Sequence, residues 1–452
     1  MFLTTSLLRE MNSFRHLINA LLFAGVVNLI YCGWVLVFGD PISWSNPYNN
    51  ILGTFGNPNF IGAFLGILAP VFLCFSMLPK INKFQRGIFL VAIPVTLIEA
   101  FLSHAIQGRI VAIFGFSMVA FFLLRSRSIL FSWLYVAIVM GVGYLAVLGA
   151  LQRGPLADLI YKTSVSLRGQ YWQAAFNTGK SHFWTGVGFD AFGDWYRRMR
   201  DAKALILPGP NTTVNAAHNI PLDLFAFGGI LLLAAYLGLI ILVVMSVVRV
   251  SKRNQKFEPV FVAMVVIWTG YQLQSIISIN QIGLAVIGWV FGGAIIGYDH
   301  TSRISNLASD TEDRSLKVKS RRSSRPEIVN PGVLAGIGMI VGAIIAVPPL
   351  SSDMRWRSAM VNNSFSQLQK VLEPSYLSPQ NTTMYGIAID SMERSKIYDY
   401  AHEYTIAALE FNENSFDLWR LLYVLTNSTM EEKAEALQNM RRLDPLVEDP
   451  LK

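Results

Sequence analysis

Residues 219–248 read NIPLDLFAFGGILLLAAYLGLIILVVMSVV, and Asp223 is the single charged side chain in this run. An α-helix rises about 1.5 Å per residue, so about twenty apolar residues cross the roughly 30 Å hydrocarbon core of a bilayer. The run is therefore predicted to be a membrane-spanning helix. Basic residues begin only where it ends, at Arg249.

Eight further apolar runs have the composition of membrane spans. They cover residues 17–39, 59–78, 88–104, 109–124, 130–150, 260–278, 282–298 and 331–349. The chain is 53% hydrophobic and only 15% charged, which excludes an ordinary soluble enzyme. The predicted fold class is all-α, a polytopic integral membrane protein of about nine transmembrane helices. The runs 88–104, 109–124 and 282–298 are short for a full span and could be tilted, broken or re-entrant.

Basic residues in the short connections predict the orientation of the helices. Lys and Arg in such loops are retained in the cytoplasm, so the side on which they cluster is the inner side. If the helices simply alternate, four basic clusters share that side and leave residues 151–218 and the C-terminal tail outside. These clusters are Lys80, Lys83 and Arg86; Arg125 and Arg127; Arg249, Lys252 and Arg253; and Arg321, Arg322 and Arg325.

This topology predicts four parts of the chain. Residues 1–298 form a membrane domain whose segment 151–218 is a long extracytoplasmic loop, and residues 299–330 form a polar cytoplasmic linker. A last span at 331–349 leads to an extracytoplasmic helical domain at 350–452. In this tail FNEN at Phe411 recurs as LDPL at Leu443, a separation of 32 residues that is close to the tetratricopeptide period. A plain amphipathic helical tail is the alternative.

The long loop is unusually basic for an outer segment, with eight Lys or Arg against four Asp. A guanidinium binds two phosphate oxygens at once and keeps its charge, so such a cluster is typical of an anion site. His218, at the outer end of the 219–248 helix, is suited to act as a general base. Asn219 and Asp223, one helical turn apart, could hydrogen-bond each other and support it. The candidate anion-binding residues are Arg109, Arg168, Arg197 and Arg198.

Each candidate also has a simpler explanation. Arg109 could extend to the membrane interface, and Arg168 could be a solvated loop charge. His218 could be an interfacial histidine with its hydrogen bonds satisfied. The cluster of Arg197, Arg198 and Arg200 could contact anionic headgroups. No one of these residues is specific to a function by itself, whereas their order along the chain is more specific.

That order resembles the O-antigen ligase and Wzy polymerase family over residues 51–298. The segments that carry the resemblance are GTFGNPNFIG at 53–62, Arg109, SLRGQYW at 166–172, GVGFDAF at 186–192 and AHNIPLDLFAFGG at 217–229. The resemblance implies a multi-helical glycosyltransferase similar to GT-C enzymes. Such an enzyme moves a glycan from undecaprenyl pyrophosphate to a lipid, glycan or protein acceptor at the outer face of the bacterial cytoplasmic membrane. No metal, other cofactor or nucleic acid partner is expected.

By motif, the resemblance assigns Arg109 and Arg168 to the pyrophosphate and His218 to activation of the acceptor, and we extend the anion site to Arg197 and Arg198. Family members carry several helices before the GxxxNPN turn, whereas one is predicted here. This difference would fit either a shortened member or a chain whose start lies upstream.

Four functions remain open at this stage. Ligation of a finished glycan to a lipid core, polymerisation of repeat units and glycosylation of protein hydroxyls share the same site chemistry. A transporter or flippase of lipid-linked glycans is the alternative from another class, in which the outer cations form a vestibule. A transporter should show internal symmetry and broken helices at the midplane, and no internal repeat is found in the membrane domain. We therefore favour a transferase of the ligase type.

Overall fold

The computed structural model describes residues 1–8, 10–42, 46, 50–312, 331–373 and 381–449, and all regular structure in these ranges is helical. The chain divides into two units after residue 316. The first unit contains α1 (Phe2–Leu7), α2 (Met11–Phe38), α3 (Pro58–Ser76), α4 (Lys83–Leu102), α5 (Ile106–Arg127), α6 (Ile129–Ala150), α7 (Ala157–Ile160), α8 (Thr163–Ser181), α9 (Phe192–Met199), α10 (Ile220–Arg253), α11 (Pro259–Ile277) and α12 (Ile282–Glu312), with short 3-10 turns at Gly53–Phe55 and Ala202–Leu205. The second contains α13 (Pro331–Val361), α14 (Phe365–Leu372), α15 (Thr382–Arg394), α16 (Tyr398–Phe411), α17 (Phe416–Val424) and α18 (Met430–Leu443).

The predicted fold class is confirmed, because nine helices in the described ranges are long and apolar enough to cross a membrane. The three runs that looked short are long enough for full spans: α4 has 20 residues, α5 has 22, and the apolar part of α12 has 23. The prediction counted only apolar residues and missed the polar ones that continue a helix. In α4, for example, Asn82 and Gln85 form a capping box that starts the helix before its apolar run.

Helix α3 is almost wholly buried at the centre of the first unit, where it packs against α4, α5 and α11. Glycines allow the closest of these approaches. A Cβ on Gly66 would lie 2.3 Å from the carbonyl oxygen of Gly108, so the backbones of α3 and α5 touch at this crossing. Small residues of this kind are typical of contacts between membrane helices.

The starts of α3 and α5 and the end of α11 lie at the same end of this bundle. Gly270 of α11 lies against Val111 of α5, and Val266 of α11 lies against Gly115 of α5, so the two helices run antiparallel. At the start of α5, the Gln107 side chain donates to the carbonyl of Asn59, at the start of α3, over 2.6 Å. The GxxxNPN turn and the start of α5 are therefore neighbours.

Helix α10 is broken near its start. Gly229 has φ +64° and ψ −162°, a conformation open essentially only to glycine. The loop segment 183–188 fills the break: the carbonyl of Phe183 accepts the N–H of Ile230 over 2.7 Å, and the N–H groups of Val187 and Gly188 donate to α10 carbonyls. The sequence predicted one uninterrupted helix over 219–248. The structure replaces it with a short first part and a long second part joined by loop backbone.

The second unit is helical, as predicted for the tail. Helix α15 pairs with α16, and α17 pairs with α18. Helices α16 and α18 both have 14 residues and end at Phe411 and Leu443, the two positions whose motifs predicted a repeat. The tetratricopeptide likeness itself stays a prediction.

The predicted linker 299–330 begins inside a helix, because α12 continues to Glu312. Its remaining residues, with Arg321, Arg322 and Arg325, lie outside the described residues.

Candidate functional site

His218 lies in the turn immediately before α10. Its φ of +58° is uncommon for a residue with a side chain. The ring Nδ1 is 3.2 Å from the carbonyl oxygen of Ala216. Because a carbonyl can only accept, this contact places the ring proton on Nδ1 and leaves a lone pair on Nε2. His218 therefore presents a nitrogen that can take a proton.

Asn219 and Asp223 hold the backbone around His218. The Asn219 Oδ1 accepts the N–H of Leu222 over 3.1 Å, and its Nδ2 donates to the carbonyl of Ile276 at the end of α11 over 3.0 Å. The Asp223 Oδ1 accepts the N–H of Ala217 over 2.7 Å. The hydrogen bond expected between the two side chains is thus replaced by bonds from each to the backbone.

Helix α8 brings Arg168 and Tyr171 to this histidine. The Tyr171 side chain is only 9% exposed, and its ring centroid lies 5.9 Å from that of His218. Burial raises the pKa of Tyr171, and the neighbouring Arg168 opposes that rise, so the hydroxyl stays protonated at neutral pH. The structure therefore groups Arg168, Tyr171 and His218.

This surrounding also sets the charge state of the histidine. Burial lowers the pKa of His218 most, the positive charge of Arg168 lowers it further, and the hydrogen bond to Ala216 opposes both effects. The imidazole is therefore neutral at neutral pH, as a general base requires. Burial also lowers the pKa of Arg168, but a guanidinium starts so high that it keeps its charge.

Arg109 lies at the same end of the bundle, in the first turns of α5, and its side chain is exposed. Helix α5 packs against α11, whose last turn binds Asn219, so Arg109 and His218 share one membrane face. The guanidinium lies 5.4 Å from the ring centroid of Phe101. Within the described residues no contact joins Arg109 to Arg168 or His218.

The arginines that follow α8 contact the loop itself. Arg197 and Arg200 are buried, and each donates to the carbonyl of Pro210, over 3.0 and 2.8 Å. Arg198 lies over the ring of Trp195, 3.9 Å from its centroid. These contacts favour a structural role for Arg197 and Arg200, which hold the turn at 210–211. A role for Arg197 or Arg198 in anion binding stays a prediction.

Two features of the site were not recognised from the sequence: Tyr171, and the glycines with positive φ at the helix break, Gly186, Gly188 and Gly229. Tyr171 follows Arg168 by three residues, the spacing that places two side chains on one helix face. A Cβ on Gly186 would lie 2.3 Å from the carbonyl oxygen of Phe227, so the loop backbone touches that of α10. The available signal was the glycine pair inside the apolar run of α10, together with the GxG of the loop at Gly186 and Gly188.

Comparison with known families identifies one match, which covers this part of the chain. Residues 100–237 match the family described as O-Antigen ligase, so the resemblance seen in the sequence is confirmed for this segment. The matched segment contains Arg109, Arg168 and His218 and covers about a third of the chain. No curated protein matches the chain. In the described ranges, no group of three or more His, Cys, Asp or Glu side chains could hold a metal ion.

Proposed function

We propose that this protein is a membrane glycosyltransferase of the O-antigen ligase type, because residues 100–237 match the family described as O-Antigen ligase. It moves a glycan from an undecaprenyl-pyrophosphate carrier to an acceptor hydroxyl at the outer face of the bacterial cytoplasmic membrane. The grouping of Arg168 and His218 around Tyr171 is the observation that carries the proposal.

The reaction follows from the charge states of these residues. The Nε2 of His218 takes the proton of the acceptor hydroxyl while the oxygen attacks the anomeric carbon of the glycan. The bond from that carbon to the pyrophosphate oxygen breaks, and undecaprenyl pyrophosphate leaves with the electron pair. Arg168 stabilises the negative charge of the leaving group, because its fork binds two phosphate oxygens.

Arg109 is assigned to the same pyrophosphate. It is exposed at the same membrane face and makes no hydrogen bond or ion pair with any described residue, so its donors are available to a ligand. Arg197 and Arg198 are assigned a smaller part, because their contacts within the loop already use part of each guanidinium. Asn219 and Asp223 support the turn that carries His218. No metal and no nucleotide sugar is needed.

A Wzy-type polymerase and a protein O-oligosaccharyltransferase would use the same donor and the same residues, so the product must distinguish them. The transporter alternative would be favoured by a broken helix at the membrane midplane. The break in α10 does not fall at the midplane. Gly229 lies about twenty residues from the basic end of the helix at Arg249, and about twenty residues are needed to cross the whole hydrocarbon core. We therefore retain the transferase.

The test is expression in a bacterial strain that lacks its own ligase or polymerase, followed by analysis of the lipid-linked glycan pool and its products. Glycan on the lipid core, longer glycan chains or glycosylated protein would identify the three transferase types. A transporter would change the location of the lipid-linked glycan without forming a new glycosidic bond, and that result would overturn the proposal.

His218→Gln tests the role of the base in the same strain. Glutamine can hydrogen-bond the acceptor but cannot take its proton, and a positioned base contributes about 10² to 10⁴-fold in rate. His104→Gln is the matched control, because His104 is exposed near the same membrane face and has the same φ of +58°. Near-normal turnover in His218→Gln would reject base catalysis at this position. The general base would then be sought among His182, Asp190 and Asp194 on the same loop.

A further inference from the structure

Three aromatic side chains lie in residues 183–189, which comprise the loop segment that fills the break in α10 and the residue that follows it. The exposed fractions are 43% for Phe183, 66% for Trp184 and 75% for Phe189. The rings of Phe183 and Trp184 lie 5.2 Å apart, and the ring of Phe189 lies 6.3 Å from that of Phe227. Neighbouring exposed aromatic rings of this kind mark a contact surface.

The length of α10 indicates the membrane depth of this surface. With 34 residues, α10 is longer than the roughly twenty that cross the hydrocarbon core. Arg249 is the first basic residue at its far end, and counting back about twenty residues from it reaches Gly229. The break, and the aromatic segment bonded to it, therefore lie where the hydrocarbon core meets the headgroups.

The pattern of burial along α10 agrees with this depth. No residue from 220 to 230 is exposed, because α8 of the loop and the neighbouring membrane helices together cover this part of α10. From Leu231 onward many large apolar side chains of this helix are exposed, and Leu231 itself is 62% exposed. In a membrane protein such a surface faces lipid. The backbone of Trp184 adjoins Gly229, two residues before this surface begins, because its carbonyl carbon would contact a Cβ on Gly229 at 2.5 Å.

We propose that Phe183, Trp184 and Phe189 anchor the long loop in the bilayer, with phospholipid at the headgroup and hydrocarbon boundary as the partner. Trp and Tyr are enriched in this zone, where an amphipathic ring fits, and the phenylalanines extend the same contact toward the hydrocarbon. The backbone hydrogen bonds to α10 fix the depth of the three rings. At these residues the loop therefore lies in the membrane interface and is not wholly surrounded by water. This inference is independent of the reaction that the site performs.

Nitroxide labels at Trp184→Cys and Phe189→Cys, introduced one at a time in the full chain in phospholipid nanodiscs, test the proposal. The native Cys32 and Cys74 are buried, and labelling of the unaltered protein measures their background. The measured quantity is the ratio of label collisions with oxygen, which concentrates in hydrocarbon, to collisions with a water-soluble nickel chelate.

Two exposed positions calibrate that ratio: Lys203→Cys in the polar part of the loop and Leu237→Cys on the lipid-facing part of α10. We expect a ratio at residues 184 and 189 that is several-fold above that at 203 and below that at 237, which lies about eight residues deeper in the hydrocarbon. A ratio equal to the Lys203 value at either aromatic position would overturn the proposal. Both replaced side chains are exposed, so neither substitution disturbs a buried core.

Discussion

The break in α10 depends on Gly229, and Gly229→Ala should damage it measurably. The φ of +64° and ψ of −162° would cost a residue with a Cβ about 1–3 kcal/mol. The new Cβ would also lie 2.5 Å from the carbonyl oxygen of Phe183, a backbone atom that can move only if the loop segment leaves the break. Its departure leaves the N–H of Ile230 without its carbonyl partner, and an N–H left unpaired away from water costs about 1–3 kcal/mol. We therefore expect a loss of about 2–6 kcal/mol in the stability of the loop against α10.

Gly238→Ala is the matched control on the same helix, because a Cβ at Gly238 meets no atom within 4 Å. Alanine is about 1 kcal/mol more favourable than glycine in a helix, so this variant should be at least as stable as the unaltered protein. The assay is trypsin cleavage within residues 151–218, together with the midpoint of thermal unfolding, for both variants in nanodiscs. We expect faster loop cleavage and a lower midpoint for Gly229→Ala alone. Equal behaviour of the two variants would refute the argument that loop backbone holds the broken helix.

Three further predictions concern the site and its orientation. Arg168→Lys keeps the charge but loses the bidentate fork, so the interaction with the donor should weaken by at least about 1 kcal/mol. This loss would be measured as a higher KM for the donor. An unchanged KM would favour the explanation that Arg168 is a solvated loop charge. The acid limb of kcat/KM should lie below the ordinary histidine pKa of about 6.5, because burial lowers the pKa of His218 and protonation on falling pH removes the base. Arg168→Gln removes a positive charge beside His218 and should move this limb to higher pH. An acid limb at an unchanged pH would show that the charge of Arg168 does not act on His218. A topology reporter fused near Gly209 should be extracytoplasmic and one near Lys252 cytoplasmic; a cytoplasmic signal at Gly209 would remove the loop from the outer face.

The helices were predictable because a bilayer imposes a simple rule on sequence. Every backbone polar group must be satisfied inside the segment that crosses, so a long apolar run can only be a helix. The run at 59–78 needed no tertiary information to be recognised as α3. Capping by Asn82 and Gln85 was less visible, since polar residues that extend a helix contribute nothing to an apolar count.

The candidate site was predictable in its residue types and only partly in its arrangement. Arg168 and His218 were identified because guanidinium and imidazole have chemistry that few other side chains share. Tyr171 has no such signature, and its position beside His218 follows from the packing of α8 against α10. The buried contacts of Arg197 with Pro210 could not be inferred either, because a cluster of arginines has the same sequence whether it binds a ligand or its own loop.

By itself the sequence determined that this chain crosses a membrane about nine times and that one of its loops is unusually basic, because apolar length and residue type are local properties. Only the tertiary structure decided which face of α8 meets His218, and that the loop at 183–188 completes a break in α10 at Gly229. The reason is physical: an apolar run looks the same whether its carbonyls bond within the helix or to a distant loop. Where those hydrogen bonds go is settled only when the two segments, about forty residues apart, are brought into contact.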